Sequence, residues 1–123
     1  VPEIGALCHE RGVIFHTDAT QWVGKMPTNV DTDHIDLMSW SGHKMYGPKG
    51  VGALLLRPGL DPAPLLTGGG QESGRRGGTE ALPAIAGFAA AAASERGAAS
   101  GKRARRELRL LQHHLEMRRR GAH

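Results

Sequence analysis

The spacing of apolar residues changes several times along the chain, and each change marks an element. Over residues 2–11, Ile4, Leu7 and Cys8 recur at three- and four-residue intervals, which places them on one face of a helix. Pro2 suits the first turn of that helix and Gly12 its stop. Val13-Ile14-Phe15-His16 is a continuous apolar run that reads as a short buried strand, ending at Thr17-Asp18. A helix leading directly into a buried strand is half of a parallel αβ unit. Residues 19–24 predict a helical turn and 27–33 a loop. Residues 35–40 and 51–56 read as a second and a third strand, and prolines break the pattern over 58–64.

The second half is organised differently. Residues 68–79 form a polar, glycine-rich stretch of a length that in a compact domain is usually functional or disordered. Residues 80–96 predict an alanine-rich helix with Thr79 as its N-cap, and residues 97–101 a break. A second helix, rich in arginine, is expected over 102–119, where Leu108, Leu111 and Leu115 fall at i, i+3 and i+7. The pattern as a whole describes an α/β fold with a mainly parallel sheet covered by helices.

Composition narrows this. At 123 residues the chain is the size of one small domain, and 39% hydrophobic residues suffice for a core. Aromatic residues reach only 4% and glycines number 18, which favours a loop-rich α/β protein over a helical bundle. The net charge is +4 with a pI near 9.8. The basic excess is concentrated in residues 101–120, so it characterises a tail more than the body. No apolar run approaches the roughly 20 residues needed to span a bilayer as a helix. The single cysteine, Cys8, excludes an intramolecular disulfide and fits a reducing, cytoplasmic setting.

The chemistry concentrates at two strand ends. Asp18 ends the first strand, and Lys44 follows the second within Ser39-Trp40-Ser41-Gly42-His43-Lys44-Met45-Tyr46-Gly47-Pro48-Lys49-Gly50. Ligands of open parallel sheets bind beyond the carboxyl ends of the strands, so neighbouring strands would bring both residues to one rim. An aspartate and a lysine placed so can hold the two ends of one aromatic cofactor, pyridoxal phosphate, with Lys44 as its Schiff-base amine. A carboxylate against the pyridine nitrogen keeps it protonated and the ring electron-withdrawing. Ser41, His43 and the backbone amides of the glycine-containing turn suit the phosphate. Taken singly, Asp18 reads better as a helix N-cap and Lys44 as a solvated loop lysine. The combination, with Gln21 one turn beyond Asp18, favours the cofactor. Lys25 and Lys49 are the competing amines, but neither directly follows a strand end.

The run from His16 to Lys25, the run from Asp36 to Gly52, and Gly68-Gly69-Gly70-Gln71-Glu72 with Arg75-Arg76-Gly77-Gly78-Thr79-Glu80 closely resemble the NifS/IscS-type cysteine desulfurases. These are fold-type-I pyridoxal-phosphate enzymes of the class V aminotransferase group. The resemblance covers residues 1–97 well and the last helix loosely. It implies that Lys44 carries the cofactor, Asp18 meets its pyridine nitrogen, Gln21 its phenolic oxygen, and Ser41 and His43 its phosphate. Thr79 resembles the family residue that reaches the cofactor phosphate of a neighbouring subunit, which implies a homodimer. The family reaction converts L-cysteine to L-alanine and leaves a persulfide for delivery to a sulfur acceptor or iron–sulfur scaffold protein.

The resemblance is partial, and the chain reads as a fragment. Residues 1–100 correspond to the C-terminal part of the cofactor-binding large domain, and residues 101–123 to a basic helix leading toward a small domain. The family's catalytic cysteine belongs to a loop downstream of the last residue, and Cys8 lies in the first helix, so this chain alone is expected to be inactive. Two rivals stand beside this reading. One is another class V lyase or aminotransferase. The other is a non-enzymatic module whose basic helix, with Lys102, Arg103, Arg105, Arg106 and Arg109, binds nucleic acid, although aromatic residues to stack on bases are absent there. The seven histidines show no paired zinc-ligand spacing, and no metal is expected.

Overall fold

A computed structural model describes residues 1–98, with side chains described through residue 94. The arginine-rich helix expected over 102–119 lies outside the described residues. The order of elements is α1 (Pro2–Glu10), β1 (His16–Asp18), β2 (Leu37–Ser41), a 3-10 turn (Gly42–Met45), β3 (Gly52–Leu56) and α2 (Leu82–Ala98).

α1 begins with proline in its first turn and ends at Glu10, with Arg11 as its C-cap and the expected stop, Gly12, directly after. Gly12 takes a left-handed φ of 63°. The Val13 N–H then donates to the Cys8 carbonyl at 2.9 Å and the Gly12 N–H to the His9 carbonyl at 3.1 Å. Those two bonds satisfy carbonyls that a helix end would leave open, and only glycine takes that backbone conformation without strain. The helix packs through Gly5, whose missing side chain lets the Asp33 carbonyl approach. Its apolar face is less covered than its periodicity suggests: Ile4 is 56% and Leu7 45% exposed, and Cys8 is half-buried.

The three strands form one sheet in the order β1-β2-β3. β1 and β2 are parallel, with His16 opposite Leu37 and Asp18 opposite Ser39. β2 and β3 are antiparallel, with Ser41 opposite Gly52 and Leu37 opposite Leu56. The sheet is therefore mixed. Ten residues separate β2 from β3, fewer than the dozen or more that a parallel crossover needs, so β3 can only return alongside β2.

The first strand starts at His16, three residues later than the apolar run predicts. Val13 and Ile14 are 54% and 62% exposed. They flank the outer strand of the described sheet, where their hydrophobicity meets no neighbour, and only Phe15 turns onto the core. That core is small: Ala19, Ile35 and Met38 are buried, with Val23, Val30, Trp40 and Leu55 packed around them. Burial of Ile35, 1% exposed, contributes about 2–3 kcal/mol.

α2 starts at Leu82, so Thr79 stands outside the helix it is predicted to cap. α2 lies against the 3-10 turn. Gly87 backs onto the Pro48 ring, Ala91 onto Gly47, and Phe88 onto Gly42. The alanine-rich sequence makes sense there, because small side chains let a helix approach a glycine-built turn closely.

Candidate active site

Parallel pairing puts the carboxyl ends of β1 and β2 at the same edge of the sheet. Asp18 is the last residue of β1 and Ser41 the last of β2. The Ala19 N–H donates to the Ser39 carbonyl at 2.8 Å, which ties the exit of β1 to β2 two residues before Ser41. Directly after Ser41 the chain turns through Gly42-His43-Lys44-Met45. Asp18, Ser41, His43 and Lys44 therefore share one rim, as the sequence suggests.

The turn that presents Lys44 is tightly specified. The Gly42 N–H donates to the Val51 carbonyl, and the Gly47 N–H to the Gly42 carbonyl, both at 2.9 Å. A side chain on Gly42 would come within 3.0 Å of the Phe88 ring, and one on Gly47 within 2.9 Å of the Gly42 carbonyl oxygen. Met45 is buried beneath, whereas His43 and Lys44 face solvent. Tyr46, with φ of 63°, takes the left-handed conformation that reverses the chain. Such a backbone is unfavourable for a bulky residue, and it persists where surrounding bonds fix it.

Asp18 is exposed, and its Oδ1 accepts the Thr20 N–H at 2.9 Å. The Thr20 hydroxyl and then its backbone N–H hold the Asp18 carboxyl below its ordinary value, with a smaller contribution from His16 and slight opposition from burial. Asp18 is thus an anion at neutral pH. One pleat further in, His16 Nε2 and Ser39 Oγ lie 3.1 Å apart in a cross-strand hydrogen bond. Gln21 follows in the turn after Asp18, where its Oε1 accepts from Lys25 Nζ at 3.0 Å. The competing amine Lys25 is thereby engaged by a predicted site residue.

A cavity of about 180 Å³ opens at this end of the sheet, with Thr17, Asp18, Gln21, Trp22 and Met38 in its wall. Ser41, His43 and Lys44 are not part of its lining. The site consequently has a concave half around Asp18 and Gln21 and an open half carrying Lys44. Thr79 belongs to neither. It is exposed, on a segment where Glu72 and Ser73 both take left-handed φ of 50° and 58°. The residues that the sequence does not single out are those behind the turn, Gly87 and Phe88 of α2. Their signal is the coincidence of glycines in the turn with an alanine–glycine face on α2, which is meaningful only once the two are known to touch. Among the described residues no group of three or more His, Cys, Asp or Glu side chains is arranged to hold a metal ion, and no helix is long and apolar enough to cross a membrane.

This strand-end arrangement is that of a fold-type-I pyridoxal-phosphate domain, and the chain belongs to the aminotransferase class-V family, whose model matches residues 1–118. Among individual relatives, the cysteine desulfurase of Rhodobacter capsulatus is 55% identical over 92 residues, covering 75% of this chain and 24% of that protein. The mitosomal cysteine desulfurase of Encephalitozoon cuniculi is 56% identical over 92 residues, 73% of this chain and 21% of the relative. A NifS-like protein from Rickettsia africae superposes with a TM-score of 0.74 at 38% identity, over 76% of this chain and 26% of that one. SspA in complex with cysteine gives 0.72 at 47% identity, over 74% and 27%. The chain spans about a quarter of the length of the relatives it matches. Class V enzymes of this kind depend on pyridoxal phosphate. The donor set fits that cofactor: an anionic carboxylate, a solvent-facing primary amine, a hydroxyl and an imidazole on one rim.

Proposed function

We propose that this chain forms the cofactor-anchoring part of a pyridoxal-phosphate-dependent cysteine desulfurase. The observation that carries the reading is the parallel pairing of β1 with β2, which puts Asp18 and the Ser41–Lys44 turn at one sheet edge. Lys44 is the amine that holds the cofactor. Asp18, already anionic through Thr20, faces its ring nitrogen, Gln21 its phenolic oxygen, and Ser41 and His43 its phosphate. When bound, pyridoxal phosphate supplies an electron sink that stabilises charge developing on an amino-acid carbon. Lys44 is also placed to move a proton to and from that carbon, because it is exposed and stands on a rigid turn.

The substrate in this reading is L-cysteine. Its carbon–sulfur bond breaks, the sulfur passes to a protein thiol as a persulfide, and the carbon skeleton takes up a proton and leaves as L-alanine. Cys8 does not serve as that thiol. It lies half-buried in α1, and its carbonyl accepts the Val13 N–H at 2.9 Å just ahead of β1, at the strand's start and not its Asp18 end. The persulfide sulfur is destined for an acceptor or iron–sulfur scaffold protein in the cytoplasm, and Thr79 serves the cofactor phosphate of a second subunit in a homodimer.

The test is cofactor retention and its response to substrate. Mixed with pyridoxal phosphate and gel-filtered, the chain is expected to keep the cofactor's visible absorbance, and Lys44→Ala to lose it. L-cysteine should then perturb that absorbance more than L-alanine or L-aspartate does. Equal retention by Lys44→Ala would contradict the assignment. A stronger response to L-aspartate would move the chain to another class V reaction.

A further inference from the structure

The end of the sheet opposite Lys44 carries a polar junction that the proposed function does not use. Asp36 immediately precedes β2. Its Oδ2 accepts the Phe15 N–H at 2.8 Å, and its Oδ1 lies 3.3 Å from Arg57 Nε. The main chain repeats both links: the Asp36 N–H donates to the Phe15 carbonyl at 3.0 Å, and the Arg57 N–H to the Asp36 carbonyl at 2.8 Å. Arg57 Nη2 adds a bond to the Ile35 carbonyl at 3.3 Å. One residue thus holds the entry to β1 on one side and the exit of β3 on the other. With side chains only 19% and 33% exposed, Asp36 and Arg57 form a shielded pair, and such charge-assisted bonds outlast those between fully solvated groups.

β1 needs such a device. It has three residues, pairs in parallel, and is followed by an 18-residue connection to β2 that no tight turn can align. Phe15 and Ala19 direct main-chain groups toward β2. Since successive residues of a strand alternate, Ile14 and His16 direct theirs to the outer edge. A slip of one residue that keeps the ladder would turn β1 over, taking Phe15 off the core and carrying Asp18 to the other face of the sheet, and the paired bonds between Phe15 and Asp36 hold the strand against it.

We propose that Asp36, clamped by Arg57, is the positioning residue that sets the register of β1 against β2 and so places Asp18 on the rim with Ser41 and Lys44. The register claim stands on these hydrogen bonds; its consequence for the cofactor rests on the proposed function.

The experiment is cross-strand NOE and amide-exchange NMR on the labelled full chain with Asp36→Ala, Asp36→Asn and Leu55→Ala. In Asp36→Ala, Asp18–Ser39 contacts should vanish and protection of the Ala19 amide should fall on the order of tenfold, with β2–β3 amides little changed. Asp36→Asn keeps a side-chain carbonyl for the Phe15 N–H and should restore both. Leu55→Ala weakens the core and should lower protection evenly. Native Asp18–Ser39 contacts in folded Asp36→Ala would overturn the proposal, as would the same selective loss in Leu55→Ala. If Asp36→Ala does not fold, Arg57→Gln decides: selective loss at Ala19 supports the lock, and uniform loss across the sheet refutes it. Failure of the wild-type chain to retain pyridoxal phosphate would instead strike the proposed function, because these contacts are read without the cofactor.

Discussion

The proposed function gives Lys44 and Thr79 roles at the same cofactor, yet the chain holds them in opposite ways. Lys44 stands on a turn fixed by two backbone hydrogen bonds and backed by Phe88, Gly87 and Ala91 of α2. Thr79 stands near the end of residues 58–81, where only Leu60, Gln71 and Gly77 are even partly covered. The turn is a finished piece of structure, specified by contacts within this chain. The glycine-rich segment has its shape without a packing partner among the described residues. The two regions are thus separable, and substitutions at glycine should reveal it.

The largest effect is expected at Gly47. Its added methyl would meet the Gly42 carbonyl oxygen at 2.9 Å, with Ala91 close behind. Gly47→Ala should cost about 1–3 kcal/mol, the range for overpacking a filled site, and should lower the melting temperature and cofactor retention together. Phe88→Ala comes next. It removes the ring against Gly42, and since Phe88 is only half-buried the loss should be about 2 kcal/mol, below the range for a fully buried phenylalanine. Denaturant titration with unchanged slope would measure it; no change would mean that α2 does not brace the turn.

A smaller, pH-dependent effect is expected at Thr20. The Asp18 carboxyl is held below its ordinary value of 3.8 chiefly by the Thr20 hydroxyl and then the Thr20 N–H. A lowered folded-state value stabilises the fold above the unfolded value, and that contribution disappears as pH falls through the folded one. Thr20→Ala should therefore raise the Asp18 midpoint seen by carboxyl-carbon NMR and make the stability lost on acidification smaller, with that loss complete at a higher pH than in the wild type. An unmoved midpoint would mean that the Thr20 hydroxyl does not hold the carboxylate. At the far end of the scale, Gly70 has open space around it and an ordinary negative φ of −83°. Gly70→Ala and Thr79→Ala should each change stability by less than about 0.5 kcal/mol, the converse of Gly47→Ala. A large loss at Gly70 would erase the contrast between the two regions.

What the sequence made legible follows the same division. The strand ends bearing Asp18 and Lys44 could be read because local pattern and chemistry agree there: each apolar segment gives way to polar residues, Thr17-Asp18 in one case and Ser41-Gly42-His43-Lys44 in the other. The start of β1 could not, because Val13 and Ile14 look like buried strand residues while lying beside the outer edge of the described sheet. Burial depends on what lies alongside, and no local run encodes that. The direction of β3 was legible in principle, since the ten residues after Ser41 are too few for a crossover. Thr79 carries the right chemistry for an N-cap, but Pro83 sits comfortably within the first turn of a helix starting at Leu82, and the chain begins the helix there instead. The bracing of the turn by α2 and the clamp from Asp36 to Phe15 and Arg57 depend on long-range contacts that composition and periodicity do not report.

Lys44 is the residue on which the cofactor assignment turns, and one measurement addresses it directly. The chain is incubated with pyridoxal phosphate, reduced with borohydride, digested, and mapped by mass spectrometry. The expected result is a reduced pyridoxyl adduct on the peptide containing Lys44, absent from Lys44→Ala. Adducts on Lys25 or Lys49, with none on Lys44, would contradict it.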